Sequence, residues 1–266
     1  MSSASAALAV VQALPARPAT LVCRLLALAY LASRPDYRAE IRANYRIVIG
    51  RDRPWFWVRN AWRVGRNIAL MARIGTPFAD GIVDSAEVCG DNLIRLTLEQ
   101  ELHSVMASFH FGAWEFLPQV FGGQELPVRL AVGVQRDPAL QGRVEQLRQG
   151  RGVTLVRSLR EVMESIDRPG ITGFMLDNTS QGSQQWVVVD SVRLRMPELP
   201  FRLAERAGTK VIPMFARLDR GRLVVEAGIA GGREAAAASM LGQVRAHPEE
   251  WIWWGKSGAV KAANCE

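Results

Sequence analysis

The feature that most constrains this chain begins near residue 91. From there, short apolar or β-branched runs alternate with stretches of helical periodicity. Candidate strands fall at 92–99, 104–109, 128–134, 153–156, 171–176, 186–190, 210–215 and 222–226. Helical patterns fall at 113–120, 139–149, 159–166, 199–207 and 234–246. Strand–helix alternation of this kind builds an α/β fold, a mixed and mostly parallel sheet flanked by helices. The last two β runs are separated by Asp219-Arg220-Gly221 and read as a hairpin. At 266 residues the chain can bury a large core yet stay within one structural domain. The expected organisation is a helical segment over 1–75 that meets a membrane interface, followed by an α/β core over 76–266.

Charge narrows the range of partners. The formal net charge is +7, and of 33 basic residues all but Lys210, Lys256 and Lys261 are arginine. Arginine grips phosphate and carboxylate through a planar fork, although a general preference for Arg over Lys in the parent genome would give the same composition. The basic residues are scattered, without a clustered stripe or a nucleic-acid-binding signature, so nucleic acid is not an expected partner. Diffuse positive charge suits an anionic membrane surface or a phosphorylated lipid. Cys23, Cys89 and Cys265 are an odd number at no metal or disulfide spacing. Three histidines are too few and too dispersed for a metal centre, and no cofactor is expected.

The most apolar stretch runs from Thr20 to Ser33. It is shorter than the ~20 residues that span a bilayer, and Arg24 interrupts it. It also lacks the cleavage pattern of a secretory signal. Two readings stand: a helix lying in the membrane interface, with Arg17, Arg24, Arg34 and Arg38 available to headgroups, or an apolar helix packed on the domain. Over 51–66, Trp55, Trp57 and Trp62 alternate with arginines. That is the composition of an interfacial anchor, or of core aromatics beneath an arginine-rich face.

The segment Phe109-His110-Phe111-Gly112-Ala113-Trp114-Glu115 carries the candidate chemistry. His110 stands at the end of an apparent strand, where open α/β sheets place reactive groups. Gly112 permits the tight turn that leads into a helix. Residues i and i+5 do not share one helix face, yet across a strand–turn–helix junction they can meet. Glu115 could then accept an imidazole N–H and fix the tautomer, leaving the other ring nitrogen to take a proton from a hydroxyl. A structural histidine at a turn is the plain alternative.

The string His110-Phe-Gly112-Ala-Trp114-Glu115 resembles the bacterial lipid A biosynthesis lauroyl/myristoyl acyltransferase family, within the lysophospholipid acyltransferase superfamily. Further matches follow in order: Gln135-Arg136-Asp137-Pro138, Gln146 to Val153, Phe174 to Asn178, Leu203 to Phe215, and Pro248-Glu-Glu-Trp251-Ile-Trp253. Two regions depart from the pattern. Gln185 to Val192 replaces the usual Gly-Phe-Phe-Gly loop, and Trp254-Gly-Lys-Ser-Gly replaces a His-Arg-Arg-type run. Substrate identity therefore carries over poorly.

The resemblance implies a glycerolipid acyltransferase-like fold and an O-acyltransferase. Its donor would be an acyl carrier protein or coenzyme A thioester, and its acceptor a membrane lipid at the cytoplasmic face of the inner membrane, with the protein peripheral or monotopic. It makes His110 the general base and Glu115 its orienting partner. Arg136 would hold a phosphate or the developing oxyanion, unless it simply caps a loop. Asp177 and Asn178 would position the acceptor, or else only end a strand. Gly112 and Trp114 complete the expected substrate site, unless Trp114 only packs below it, and Arg148 and Arg151 read as solvated helix-end charges. A glycerophospholipid or aminolipid acyltransferase, or a silent membrane-binding protein with this fold, are the rival readings.

Overall fold

A computed structural model describes residues 3–90, 103–122, 127–133, 138–178, 182–256 and 258–263. Four helices open the chain: α1 (Ser3–Ala13), α2 (Ala16–Ala32), α3 (Pro35–Ile49) and α4 (Phe56–Met71). Helix α3 starts with Pro35 in its first turn, where no backbone N–H is needed, and stops at Gly50 in the left-handed region. Helices α2 and α4 cross closely at Gly65, where a Cβ would sit 2.6 Å from the Arg24 Cα. Val11, Ala19, Cys23, Ala69 and Ala72 close a small apolar cluster between α1, α2 and α4. Among the described residues, no helix is long and apolar enough to cross a membrane.

Beyond α5 (Pro77–Asp84) the chain enters the sheet. Its strands are β1 (Glu87–Cys89), β2 (His103–Ser108), β3 (Val128–Ala131), β4 (Val153–Val156), β5 (Gly170–Met175), β8 (Val211–Asp219) and β9 (Arg222–Ala227). Among the described residues they lie in the order β1-β9-β8-β2-β5-β3-β4. Neighbours pair in parallel except β8 with β9, so the expected mixed and mostly parallel sheet forms. The remaining pair of strands, β6 (Gln184–Val189) and β7 (Val192–Pro197), joins β10 (Val260–Ala262) in a separate antiparallel sheet. The helices of this part are α6 (Leu117–Gly122), α7 (Pro138–Arg148), α8 (Leu159–Ile166), α9 (Leu199–Arg206) and α10 (Arg233–Ala246).

Side-chain alternation along the strands divides the core between the two sheet faces. Val105, Ala107, Val211 and Phe215 enter one cluster, with Trp251 and Trp253. Met106, Ile212, Met214 and Ala216 enter the other, with Phe116 and Val128. Strands covered on both faces account for the continuous apolar runs in the sequence.

The expected hairpin forms around Arg220 and Gly221, both at positive φ, with Asp219 paired to Arg222. A second hairpin, β6–β7, has no counterpart among the expected strands beyond 186–190. In β7 the buried Val192, Leu194 and Met196 alternate with Arg193 and Arg195. The run 113–120 divides into a 3₁₀ turn, Trp114–Phe116, and α6. The expected strand at 92–99 lies outside the described residues.

Candidate active site

Strand β2 ends at Ser108, and the chain continues through Phe109-His110-Phe111. Phe109 and Phe111 are buried with ring centroids 5.0 Å apart, which anchors the segment on both sides of His110. The backbone is clamped to the loop at 250–252. Ile252 donates its N–H to the His110 carbonyl, and Gly112 donates to the Glu250 carbonyl, both at 2.9 Å. The next residue, Ala113, donates to the Ala216 carbonyl at 2.7 Å. Gly112 has φ +59°, and a Cβ there would lie 2.1 Å from the Ala216 carbonyl oxygen. Only glycine lets this turn sit on β8.

Strand β5 runs parallel to β2 with Met175 opposite Ser108. Leu176 continues the ladder by donating its N–H to the Ser108 carbonyl. Two residues beyond that register pair stand His110 and Asp177. Asp177 Oδ1 lies 2.8 Å from the His110 Nδ1, and Oδ2 accepts the His110 backbone N–H at 3.0 Å. Oδ2 also accepts the Trp251 indole N–H at 3.0 Å and pairs with the Lys256 ammonium at 2.8 Å. Lys256 reaches the Asp177 carbonyl oxygen as well, at 3.1 Å.

This corrects the expectation that Glu115 orients the imidazole. Asp177 takes that place because the carboxylate of the neighbouring parallel strand points at Nδ1. Asp177 is correspondingly not free to position an acceptor, its two oxygens being committed to His110, Trp251 and Lys256. Burial alone would push its carboxyl up, but the His110 ring and the Lys256 ammonium hold it well below the usual carboxylate range. An ionised Asp177 makes Nδ1 the protonated nitrogen and leaves Nε2 as the basic one. The Asp177 side chain is 3% exposed and that of His110 31%, so the ring is held from the buried side and open on the other.

Glu115 has other partners. It forms a two-pronged ion pair with Arg148 at the end of α7, one contact being 2.8 Å from Nε to Oε2. It also accepts the Trp114 indole N–H at 3.2 Å. Burial works to raise its carboxyl, and the Arg148 guanidinium outweighs that, so it too is lowered. Arg148 is therefore no solvated helix-end charge. Arg151 pairs with Asp80 and Asp84 in place of solvent alone. The Trp114 ring stands edge-on to the His110 ring, with centroids 5.2 Å apart. Asn178 follows Asp177 at the surface. Arg136 lies outside the described residues.

Lys256 and Trp251 were not among the expected site residues. Trp251 belongs to the Pro-Glu-Glu-Trp run, which was legible as a motif but not as a neighbour of Asp177. Lys256 sat in the divergent tail and carried no signal beyond being one of three lysines. The segment that carries Trp251 is tied to α4: Asn60 donates to the Trp251 and Glu249 carbonyls, and Asn67 and Arg66 bind the buried Glu250 carboxylate. Among the described residues no three of His, Cys, Asp or Glu gather as they would around a metal ion.

Over residues 3–256 the chain matches the family described as bacterial lipid A biosynthesis acyltransferase. Among solved structures it is similar to the 1-acyl-sn-glycerophosphate (LPA) acyltransferase PlsC from Thermotoga maritima, at 14% identity and a TM-score of 0.39. That likeness covers 89% of this chain and 97% of that one. No curated protein matches the sequence significantly.

Proposed function

The chain belongs to the bacterial lipid A biosynthesis acyltransferase family, and from that premise we propose that His110 is the general base of an acyl transfer from a thioester to a lipid hydroxyl. The observation that supports this reading is the Asp177–His110 contact, which fixes one ring nitrogen on the buried side and leaves the other for substrate.

In this reading Nε2 takes the proton of the acceptor hydroxyl as its oxygen attacks the thioester carbonyl carbon. The carbonyl π pair moves to oxygen, forming a tetrahedral intermediate. Its collapse re-forms the carbonyl and breaks the C–S bond, and the imidazolium returns its proton to the leaving sulfur. Asp177 holds the ring and stabilises the imidazolium while it lasts. Glu115 keeps the Arg148 guanidinium beside Trp114, and Trp114 forms one wall next to the imidazole. Arg136 and Asn178 are proposed to contact donor or acceptor, with the Arg136 guanidinium taking a phosphate or the developing oxyanion. The donor is an acyl carrier protein or coenzyme A thioester. The acceptor is a lipid of the cytoplasmic face of the inner membrane.

Helix α2 supports a peripheral or monotopic attachment. Leu21, Leu25, Leu26 and Tyr30 are exposed, while Ala19, Cys23 and Leu31 pack inward. Arg24 lies over the Trp62 ring at 4.7 Å, and Trp55 is 74% exposed nearby in sequence. Exposed apolar side chains beside arginine and tryptophan fit a helix seated in the headgroup layer.

The test is a transfer assay. Wild-type and His110→Ala proteins are given acyl carrier protein and coenzyme A thioesters with a bacterial lipid extract, and new acylated lipids are read by mass spectrometry. A product that vanishes in the variant establishes the reading and identifies the acceptor, whether lipid A precursor, glycerophospholipid or aminolipid. Lipid binding without any product, in both proteins, would assign the fold to a silent membrane-binding role.

A further inference from the structure

The Lys256 ammonium occupies a position that a general-base reading of His110 does not require. It lies 2.8 Å from Asp177 Oδ2, 3.1 Å from the Asp177 carbonyl oxygen and 3.3 Å from His110 Nδ1. Its side chain is 8% exposed. Lysine is seldom buried unless paired, and here the burial is directed at one carboxylate. If Nδ1 carries the proton donated to Asp177, Lys256 cannot also donate to Nδ1. The 3.3 Å approach is then a contact between a cation and a ring that must become cationic in the reaction.

We infer that Lys256 is a positioning residue for the His110–Asp177 pair: it holds the Asp177 carboxylate with Oδ1 on the ring and shares its charge, so that His110 stays neutral and ready to accept a proton. The inference rests on the reading of His110 as the base. An Asp177 charge felt by His110 alone would favour the imidazolium before substrate arrives, and an imidazolium cannot take the hydroxyl proton. The other charged groups around the pair are Glu115 with its partner Arg148, and Glu40, which accepts the Gly255 N–H at 2.9 Å beside Lys256. Ala259 donates its N–H to the Lys256 carbonyl at 2.8 Å, and just beyond it β10 pairs with β7. The tail is thereby tied to the site through one side chain.

The experiment compares Lys256→Met and Lys256→Arg with the wild type. Two readouts are used: kcat and KM across pH, and the titration of the His110 ring followed by NMR in histidine-labelled protein, with His103→Gln and His247→Gln supplying assignments. Lys256→Met is expected to lower kcat roughly 10- to 100-fold, as loss of positioning does. KM should change little, and both the acid limb of the rate profile and the His110 titration should move to higher pH. Lys256→Arg should restore most of each.

Because Lys256→Met leaves a buried carboxylate without its cation, it may be compared within Asp177→Asn protein if it fails to fold. In that background, removing the lysine should add no further loss, since the charge it balances is gone. Unchanged rate and titration in a folded Lys256→Met protein, an arginine variant as impaired as the methionine one, or losses that multiply in the Asp177→Asn background would each overturn the inference. The ring titration separates this from the function itself. A His110 titration that moves in a protein with no transferase activity would sustain the Lys256–His110 coupling while rejecting the catalytic reading. Transfer that persists with the titration unmoved would do the reverse.

Discussion

His110 and Asp177 are 67 residues apart in the chain and joined twice, ring nitrogen to Oδ1 at 2.8 Å and backbone N–H to Oδ2 at 3.0 Å. Both stand two residues past a register pair of adjacent parallel strands, so the contact follows from strand pairing alone. Asp177→Asn should therefore cost roughly 10²–10⁴-fold in kcat, the range for removing a general base's support. It should also destabilise the fold by about 3–5 kcal/mol, since Lys256 is left buried without its counter-charge. Urea unfolding and kcat measured on one preparation check both. A near-wild-type rate would remove Asp177 from the mechanism.

Glu115→Gln separates the two acids. Glu115 binds Arg148 and Trp114, with the imidazole served by Asp177. Its loss should strand the partly buried Arg148 guanidinium and cost on the order of 3 kcal/mol of stability. The fall in kcat should be smaller than for Asp177→Asn. If a folded Glu115→Gln protein lost as much activity as Asp177→Asn, the orienting role would return to Glu115.

What the sequence allowed and what it hid follow from distance along the chain. Strand–helix alternation, the Asp219–Arg222 hairpin and the turn at Gly112 are local patterns, and each appears in the structure. His110 was legible because a strand end, a glycine and a short ordered string surround it. The partner of His110 was not, because Glu115 is five residues away and Asp177 stands just past the end of another strand. Only the register Ser108–Met175 brings the second acid in, and register is a property of the assembled sheet. Lys256 was hidden for the same reason, entering the site from a tail whose pattern departs from the family. Strand β7 was legible in principle from its alternation of Val, Leu and Met with Arg, but its charged residues masked the period.

Acid stability follows from the same carboxylates. Asp177 and Glu115 are both lowered in the folded protein, by His110 and Lys256 and by Arg148 respectively, against the opposing effect of burial. In the unfolded chain they titrate near 4. A depressed folded value means the stabilisation is present above that point and is lost as pH falls below it toward the folded value. Unfolding free energy should thus drop steeply with acidification below about pH 4. The slope should be shallower in Asp177→Asn. Denaturant titrations at stepped pH, showing equal slopes in both proteins, would contradict the assignment.

Gly112→Ala should be severe for a reason independent of chemistry. The added methyl would meet the Ala216 carbonyl at 2.1 Å in a left-handed turn. The turn must move off β8, breaking the Ala113–Ala216 and Gly112–Glu250 hydrogen bonds. Backbone strain of this kind costs at least about 1–3 kcal/mol, before any clash is counted. Loss of both stability and transfer is expected, and a folded, active alanine variant would show that the turn has room to shift.

The exposed side of α2 makes a prediction that separates attachment from catalysis. Leu25 and Leu26 are each more than half exposed, while Cys23 and Leu31 of the same helix are buried. Burying a leucine side chain gains about 1.5–3 kcal/mol, so two that enter the headgroup layer contribute about 3–6 kcal/mol, on the order of 100-fold or more in partitioning. Leu25→Asp with Leu26→Asp should leave circular dichroism and urea unfolding near wild type, because neither side chain belongs to the packed clusters. Flotation with vesicles containing anionic lipid should fall on the order of 100-fold or more, and the residual binding should weaken further with salt, as arginine contacts alone would. A soluble short-chain thioester and acceptor should still be turned over, since the substitutions lie outside the His110 site. Undiminished flotation would mean that this face of α2 does not meet the membrane and that attachment, if any, lies elsewhere on the protein.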